Sequence, residues 1–459
     1  MSHLEEYDVV VLGSGAAGKL LAWTLAAQGK RLAVIERRYV GGACPNIACL
    51  PSKNVIHSAR VASYFRRGAE FGIATGDWTV DMAAVRGRKR TMVDGLVAIH
   101  LEKYRESGAE LVMGQGRFVA PKAIEVALNA GGTRTLRGQT VIIDTGSRAR
   151  MDDTTGLAES RPLTHVEALD LDHLPEHLIV LGGGYVGLEL AQAFRRFGSR
   201  VTVVERNGAP IHREDPDVTE AIERLFRDEG IEVLTGTAVD RVEGMSGESV
   251  RLQTTRGTME GTHLLVAGGR TPNTDGIGLE KAGVETDEKG HVKVDERLRT
   301  TAEGVWAVGD CAGSPYFTHI GEDDFRVVLS NLTGGDRVTT GRQVPFCLFT
   351  DPELARVGLS EREARDRGVG YRLAKIPLEA VLRARTLSET RGFLKALIEE
   401  RGDRILGFTA FGAEAGEVMA VVQVAMMAGL PYTALRDAVL THPTMAEGLA
   451  ALFSSVPRR

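Results

Sequence analysis

The feature that most constrains the fold is a unit that occurs twice in the chain. Each copy consists of a β-prone apolar run, a glycine-rich turn, a helical segment and a second apolar strand ending at an acid, over residues 7–36 and 178–205. Glycines permit a tight turn and close approach of the backbone to a pyrophosphate, the helix N-terminus accepts its charge, and the acid can bind a ribose hydroxyl. Two copies predict two dinucleotide sites, built on Gly13, Gly15, Gly18 and Glu36 in the first copy and on Gly182, Gly184, Gly187 and Glu205 in the second.

A second feature is a pair of cysteines, Cys44 and Cys49, which follows the first unit and precedes the run Pro-Ser-Lys. A disulfide needs Cα atoms about 4.4–6.8 Å apart, whereas residues five apart in a regular α-helix rise about 7.5 Å and point about 140° apart. The cysteines can bridge where a loop tightens into the first turn of a helix, and Gly41 and Gly42 supply irregular backbone there. A helix N-terminus also favours a thiolate. On spacing alone, two buried apolar cysteines or half of a zinc site remain alternatives to a redox pair.

Composition and charge exclude several classes of protein. The 459 residues predict about three domains, and 25% charged with 43% hydrophobic residues is typical of a globular protein. A net charge of -5 leaves no basic stripe for nucleic acid and no polybasic membrane patch. No apolar run approaches the roughly 20 residues that span a bilayer, and residues 1–6 lack the pattern of a signal peptide. Four cysteines suit one catalytic pair in a reducing compartment, so we expect a cytoplasmic protein.

The stretch GGACPNIACLPSK, residues 41–53, resembles the active-site signature of the pyridine-nucleotide disulfide oxidoreductases. This flavoprotein family includes lipoamide dehydrogenase, glutathione reductase and mercuric reductase. The resemblance extends over nearly the whole chain, through residues 141–147, 264–273, 301–310 and 441–447. It implies an α/β fold with two Rossmann-like dinucleotide-binding domains, one for FAD and one for NAD(P), and a C-terminal α+β dimerisation domain.

The order of domains in the family predicts the boundaries in this chain. Residues 1–150 form the first part of the FAD-binding domain, residues 151–271 the NAD(P)-binding domain, residues 272–340 the second part of the FAD-binding domain, and residues 341–459 the dimerisation domain. The resemblance thus implies a homodimer with FAD in the first unit and a nicotinamide nucleotide in the second.

The resemblance also adds residues to both cofactor sites. Asp144 stands where the family usually has alanine, in the strand that precedes Thr145. Tyr185, at a position where glutathione reductase also has tyrosine, could gate the nicotinamide pocket or could be a packing aromatic. The added FAD residues are Gly42, Lys53, Thr145, Gly146 and Asp310, and the added NAD(P) residues are Tyr185, Glu189 and Gly269.

Roles for the cysteines follow from the same resemblance. Cys49 would receive electrons from the flavin, and Cys44 would be the outer thiol that attacks the substrate. Lys53 would lie by the flavin and pair with Glu189, because either charge buried alone would be costly.

The motif at residues 441–447 would come from the partner subunit of the homodimer and face the disulfide. His442 would act as acid and base for the exchanging thiol, and Glu447 would orient and stabilise its imidazole. Considered in isolation, the motif is more typical of a histidine at a helix entry with an ordinary glutamate one turn later.

Glu205 predicts the nucleotide preference. An acid at this strand end accepts hydrogen bonds from the ribose 2′-hydroxyl and repels a 2′-phosphate, so NADH is favoured over NADPH. Arg206 follows immediately and either serves a phosphate or is a solvated surface residue.

The electron acceptor is the least constrained prediction. Residues 315–326 resemble a subgroup near mercuric reductase that includes bacterial reductases of hypothiocyanous acid and proteins for reactive-chlorine resistance. No cysteine follows Cys347, which argues against mercury reduction through a C-terminal cysteine pair. We therefore expect a small oxidant, such as hypothiocyanous acid, or a low-molecular-weight disulfide. The alternatives are a lipoamide dehydrogenase and a non-catalytic, redox-sensing flavoprotein module.

Overall fold

The computed structural model describes residues 4–458; residues 1–3, the start of the segment that lacks a signal-peptide pattern, and residue 459 lie outside it. Residues 4–149 form β1 (Leu4–Leu12), α1 (Ala16–Ala27), β2 (Leu32–Glu36), α2 (Ala43–Asn46), α3 (Cys49–Arg66), α4 (Met82–Ser107), β3 (Glu110–Ala120), β4 (Ala123–Leu128), β5 (Thr133–Ile143) and β6 (Ser147–Ala149). Residues 165–272 form α5 (His165–Ala168), β7 (His177–Leu181), α6 (Tyr185–Phe197), β8 (Arg200–Val204), α7 (Pro216–Asp228), β9 (Glu232–Leu234), β10 (Val239–Met245), β11 (Ser249–Thr254), β12 (Gly257–Gly261), β13 (His263–Val266) and β14 (Arg270–Pro272).

The remaining elements follow in chain order. Residues 279–332 form α8 (Leu279–Ala282), β15 (Val305–Ala307) and α9 (Thr318–Leu332). Residues 346–454 form β16 (Phe346–Leu348), β17 (Glu353–Gly358), α10 (Glu361–Asp366), β18 (Tyr371–Pro377), α11 (Leu382–Thr386), β19 (Phe393–Glu399), β20 (Ile405–Gly412), α12 (Ala415–Met427), α13 (Tyr432–Arg436) and α14 (Gly448–Ser454). Short 3₁₀ turns lie at Gly68–Phe71, Gly309–Ala312 and Leu378–Ala380.

The first sheet has a parallel centre in the order β3-β2-β1-β5-β15. Val10 of β1 lies opposite Ala33 of β2 on one side and Val141 of β5 on the other. Both faces are covered, which explains why these strands are continuous apolar runs rather than alternating ones. On one face, Val11 packs with Leu21 of α1 and with residues of α9. The carboxyl ends of β1, β2 and β5 meet at one edge, where ligands bind in open parallel sheets.

The second parallel sheet has the order β13-β7-β8-β9, and an antiparallel meander of β10, β11 and β12 lies beside it. The strands β6 and β14 pair with each other and connect the two nucleotide units. Helix α3, which begins at Cys49, packs against α6 of the second unit. This contact brings the cysteine motif to the junction of the two sheets.

The C-terminal part is an antiparallel sheet in the order β16-β17-β20-β19-β18. Helices α12 and α14 cover it around a core that contains Phe408, Val422 and Leu449. The predicted fold class, two Rossmann-like units and an α+β C-terminal domain, is confirmed. The domain limits near residues 150, 271 and 340 stay predictions. Across residues 4–458, we find no helix whose length and apolar content would let it cross a bilayer.

A buried ion-pair cluster joins the second nucleotide unit to the C-terminal domain. The Lys395 ammonium is fully buried and lies 2.8 Å from Asp215, 2.9 Å from Asp217 and 3.1 Å from Glu361. Asp217 also pairs with Lys375 at 2.6 Å. Burial alone would raise the pKa of Asp215, but the bond from Lys395 and two backbone donors outweigh burial and lower it. The ammonium therefore occupies the centre of the three carboxylates.

We expect Lys395→Met to lower the free energy of unfolding by about 3–5 kcal/mol, because it leaves buried carboxylates without their counter-charge. Denaturant unfolding measures the loss. The lowered pKa of Asp215 means that its stabilising contribution is lost as the pH falls through that pKa, so the difference from wild type should shrink in acid. The matched control Lys375→Met removes a more exposed ammonium and should cost less than about 1 kcal/mol. Equal losses of unfolding free energy in the two variants would contradict the role of Lys395 as the buried counter-charge.

Candidate active site

The two cysteines lie on either side of a break between helices. Helix α2 ends at Asn46 and α3 begins at Cys49, while Ala48 has the non-helical angles φ -127° and ψ -102°. This irregular backbone agrees with the geometric expectation from the five-residue spacing. Both cysteines are free thiols here, and each acts on the pKa of the other.

The surroundings of the pair favour a negative charge on Cys49. The hydrogen bond with Cys44 lowers the pKa of Cys49 to about 6, against the effect of burial, and the Thr318 hydroxyl and the Lys53 ammonium contribute in the same direction. The distance from Cys49 Sγ to Thr318 Oγ1 is 3.3 Å. The same thiol–thiol bond, together with burial, raises the pKa of Cys44. The first thiolate of the reduced pair therefore forms on Cys49, at the N-terminus of α3.

A buried ion pair connects the cysteine helix to the second nucleotide unit. Lys53 Nζ lies 2.8 Å from Glu189 Oε2, and the Glu189 side chain is 7% exposed. The other carboxylate oxygen of Glu189 accepts the Phe349 backbone N–H at 2.9 Å. The ammonium also lies 4.6 Å from the Phe349 ring centroid. Lys53 and Glu189, from helices α3 and α6, are thus brought together as the resemblance implied.

The first glycine turn is fixed from below by Glu36. One carboxylate oxygen accepts the Ser14 backbone N–H at 3.0 Å and the Ser14 hydroxyl at 2.7 Å. Gly13 has φ +102°, and a Cβ on Gly18 would lie 2.9 Å from the Gly13 carbonyl oxygen. Gly42 has φ +82° and packs against Gly15, where a Cβ would meet the Gly15 Cα at 2.6 Å. Side chains at these positions would disrupt the turn.

Asp144 follows β5 and points its carboxyl into this turn. Its Oδ2 accepts the Gly18 backbone N–H at 2.6 Å, and a Cβ on Gly15 would lie 2.6 Å from the same oxygen. Burial raises the pKa of Asp144 well above its ordinary value, and the nearby Asp310 and Asp324 raise it further. Asp144, which stands where the family usually has alanine, thus fills the space beside the turn and accepts a hydrogen bond from the first turn of α1.

Asp310 contacts Ser147, the first residue of β6. Its carboxylate accepts a hydrogen bond from the Ser147 hydroxyl and lies 3.7 Å from Arg270 Nε. Thr145 and Gly146 border the same space. Gly146 has φ +68°, and a Cβ there would meet no protein atom within 4 Å, so a side chain would project into the cavity.

The second glycine turn repeats the first. Gly182 has φ +112°, and a Cβ on Gly187 would lie 2.0 Å from the Gly182 carbonyl oxygen. Glu205 accepts the Gly183 backbone N–H at 2.7 Å with one oxygen and the Asn207 backbone N–H at 2.7 Å with the other.

Tyr185, the first residue of α6, packs among aromatic side chains. Its ring centroid is 5.5 Å from that of Phe346 and 6.5 Å from that of Phe317. Burial raises the pKa of its hydroxyl. Tyr185 also borders the cavity, so these contacts are compatible with both a packing and a gating residue.

One large cavity, of about 2730 Å³, connects the two turns and the cysteines. A site for a single small molecule is typically about 300–1,000 Å³, so this cavity has room for two dinucleotides. Gly18 and Gly187 lie beneath the turns rather than on the wall. The predicted residues on the wall are Gly13, Gly15, Glu36, Gly42, Cys44, Cys49, Lys53, Thr145, Gly146, Gly182, Gly184, Tyr185, Glu189, Glu205, Gly269 and Asp310. This glycine-lined wall fits FAD at the first turn.

The structure of one chain does not bring His442 to the cysteines. His442 Nδ1 lies 2.8 Å from Glu447 Oε2, as the motif implied, but the imidazole is 65% exposed and does not border the large cavity. The pair is formed, and its position agrees with a role toward a second chain.

Sequence reasoning missed three side chains that contact the cysteine motif: Lys19 and His100 lie against Gly41, and Thr318 lies against Cys49. Lys19 lies in the first turn of α1, where the helix dipole disfavours a cation, and that signal could have drawn attention to it. Thr318 begins α9, within the stretch that resembles the subgroup. His100 lies in the middle of α4 and carries no comparable local signal.

Comparison with known proteins supports the same assignment. A family profile described as pyridine nucleotide-disulphide oxidoreductase matches residues 7–324, and the profile of its dimerisation domain matches residues 344–452. The chain is 35% identical over 459 residues to a probable pyridine nucleotide-disulfide oxidoreductase, RclA, of Escherichia coli strain K12, covering 99% of this chain and 100% of that protein. It is 37% identical over 454 residues to a mercuric reductase of Streptomyces lividans, covering 96% of this chain and 94% of that protein.

A solved structure shows the same fold. It is described as the Cu(II) complex of the HOCl-induced flavoprotein disulfide reductase RclA from Escherichia coli, and it aligns with a TM-score of 0.90 at 34% identity, covering 98% of this chain and 99% of that chain. The chain belongs to the pyridine nucleotide-disulphide oxidoreductases, a family of FAD-dependent enzymes that use pyridine nucleotides, and it carries their dimerisation domain.

Proposed function

We propose that the protein is a homodimeric, FAD-dependent NAD(P)H:disulfide oxidoreductase that reduces a small oxidant, such as hypothiocyanous acid, or a low-molecular-weight disulfide. The observation that carries the proposal is the pair of free thiols, Cys44 and Cys49, on either side of the helix break at the wall of a cavity large enough for two dinucleotides. A purely structural cysteine pair would not need a lowered pKa on one thiol or the Lys53–Glu189 ion pair beside it.

FAD would be held by the first glycine turn, with Glu36 at the adenosine end and Asp310 toward the ribitol. When bound, it supplies two-electron exchange between the nicotinamide nucleotide and the disulfide. Gly42, Thr145 and Gly146 would form the wall beside it, and Lys53 would lie near its ring. Gly182, Gly184, Gly187, Glu189 and Gly269 would serve the nicotinamide nucleotide, with Tyr185 at its pocket.

The two thiols would divide the work. Cys44 as a thiolate attacks the sulfur of hypothiocyanous acid, a sulfur–sulfur bond forms, and hydroxide leaves. Cys49 as a thiolate then attacks Cys44 Sγ, the Cys44–Cys49 disulfide forms, and thiocyanate leaves. Two electrons pass from the thiolates to the oxidant, and the proton given up by Cys44 converts the hydroxide to water.

Because burial and the thiol–thiol bond raise the pKa of Cys44, this step needs a base. His442 of a second chain would supply it in the homodimer, since Glu447 binds Nδ1 and leaves Nε2 for the proton transfer. The dimerisation-domain match and the exposure of this imidazole support that arrangement.

Related proteins support a small oxidant as acceptor without fixing it. The E. coli relative is described as HOCl-induced, while other relatives are a mercuric reductase and a dihydrolipoamide dehydrogenase. Lipoamide dehydrogenase therefore stays the first alternative, and a redox-sensing module without turnover stays the second. A cytoplasmic location is part of the same proposal.

We propose NADH as the preferred donor. Both oxygens of Glu205 are held by backbone donors at the end of β8, which fixes a negative charge where a 2′-phosphate would lie. The neighbouring Arg206 is exposed.

The acceptor is tested by NADH oxidation with the purified, FAD-loaded protein. Hypothiocyanous acid, lipoamide, glutathione disulfide, mercuric ion and cupric ion are compared in parallel, with NADPH as a second donor. We expect hypothiocyanous acid to give the highest rate, and Cys44→Ser to lower that rate at least about 100-fold because the attacking atom is lost. The control Cys347→Ser should retain the rate. Dominance of lipoamide would contradict the acceptor, and no turnover with any acceptor would favour the sensing module.

The nucleotide preference is tested with Glu205→Gln, which keeps the hydrogen-bond acceptor but removes the charge. The ratio of kcat/KM for NADPH to that for NADH should rise about tenfold, which corresponds to about 1.4 kcal/mol of lost repulsion. Arg206→Ser is the control, and its ratio should not change if Arg206 is solvated. An unchanged ratio in Glu205→Gln would remove the basis for the NADH assignment.

The division of charge between the thiols is tested by the pH dependence of thiolate formation. Cys49 should be a thiolate above pH 6 and a thiol below it, since its pKa is lowered to about 6. Cys44→Ala removes the donor that causes most of this lowering, so the pKa should move up toward the usual value of about 8.5. Cys44→Ser, which retains a hydroxyl donor, should show a smaller rise. Thiolate absorbance of the reduced proteins measures the pKa of Cys49 in wild type and in both variants. An unchanged pKa of Cys49 in Cys44→Ala would show that the interaction with Cys44 is unimportant.

A further inference from the structure

Lys19 is a cation in an unfavourable place. It lies in the first turn of α1, where the free N–H groups carry partial positive charge. Its ammonium donates to the Gly41 carbonyl at 3.1 Å. Across residues 4–458, no carboxylate forms an ion pair with this ammonium, although Asp144 and Glu322 lie close enough to act on it. A partly buried ammonium held in this way is suited to meeting an anion from the cavity that it borders.

The ionisable group that acts most strongly on the Lys19 ammonium is the Cys44 thiol. Burial lowers the pKa of Lys19, and Cys44 is the largest of the groups that act to raise it. In return, Lys19 acts to lower the pKa of Cys44. Lys19 is anchored to the Gly41 carbonyl, three residues before Cys44, and both side chains border the same cavity.

His100 lies against Gly41, the residue whose carbonyl accepts the hydrogen bond from Lys19. Gly41 has φ +90°, and a Cβ there would lie 2.2 Å from His100 Nδ1, so the imidazole approaches the backbone only because this residue is glycine. Trp23 packs against the imidazole with a centroid distance of 5.6 Å. Burial first and Lys19 second lower the pKa of His100. His100 is therefore a neutral ring at working pH, and Lys19 supplies the only charge of the two.

We propose that Lys19 is a positioning and specificity residue on the acceptor side of Cys44, where its ammonium draws small anions to that thiol. The subsite would favour oxidants that are anionic or release small anions over neutral or bulky disulfides. Hydroxide and thiocyanate, the two species released in the proposed reaction with hypothiocyanous acid, are such anions, and a fixed ammonium stabilises their developing charge. This inference rests on the proposed function and refines its substrate class.

The test compares an anionic and a neutral alkylating reagent on Cys44. The FAD-loaded enzyme is reduced anaerobically by two electrons, and its modification by iodoacetate and by iodoacetamide is followed at one pH, with Cys44 alkylation quantified by mass spectrometry. In Lys19→Gln, the iodoacetate-to-iodoacetamide rate ratio should fall about three- to tenfold, the effect of one nearby charge partly screened by water. Lys19→Arg keeps the charge and should keep the ratio. Lys30→Gln, which removes an exposed lysine beyond α1, should leave it unchanged.

The dependence of the iodoacetate-to-iodoacetamide rate ratio on salt is a second test. Added salt should lower the wild-type ratio, because it screens the ammonium, and should have less effect on Lys19→Gln. A salt-independent wild-type ratio, or an unchanged ratio in Lys19→Gln, would overturn the inference. Loss of FAD from Lys19→Gln with the ratio unchanged would also overturn it, since Lys19 would then serve the cofactor pyrophosphate. Alkylation involves no acceptor, so a lowered ratio would support the subsite even if the acceptor panel refuted hypothiocyanous acid.

Discussion

The interaction between the Cys44 and Cys49 thiols is the one on which the proposed chemistry depends. It exists because α2 stops at Asn46 and α3 restarts at Cys49, which turns two side chains that a continuous helix would separate toward each other. This interaction also makes the pKa values of the two thiols differ, because it lowers the pKa of Cys49 and raises that of Cys44. Cys49 can therefore be a thiolate while Cys44 stays protonated until a base removes its proton. This difference suits a pair in which one thiol accepts electrons and the other delivers them.

The rest of the fold brings other groups to this pair. The carboxyl ends of two parallel sheets face one cavity, and each sheet contributes a glycine turn held by a buried acid. The Lys53–Glu189 ion pair connects α3 to α6, so the cysteine helix and the second nucleotide unit are fixed relative to each other. The Lys395 cluster joins the second unit to the C-terminal domain. The cysteine pair and both glycine turns therefore border the same cavity.

The repeated glycine unit predicted both parallel sheets because strand periodicity, turn glycines and a terminal acid are all local signals. The resemblance then identified Lys53 with Glu189 and His442 with Glu447, pairs that the structure forms. Contacts such as Asp144 to Gly18 could not be predicted, because those residues are 126 positions apart and meet only after folding. The same is true of His100 against Gly41. The proposed approach of His442 to the cysteines would need a second chain, so one folded chain does not contain it.

The central claim is that Cys49 carries the thiolate at the flavin side of the pair. Anaerobic titration of the FAD-loaded protein with NADH, followed by absorbance at long wavelength, tests it most directly. We expect two-electron reduction to produce a thiolate–flavin charge-transfer band and Cys49→Ser to abolish its redox-dependent formation. In wild type, the band should fade in acid below pH 6, where Cys49 is protonated. A band that forms unchanged in Cys49→Ser would contradict the account, because the charge would then lie on another group.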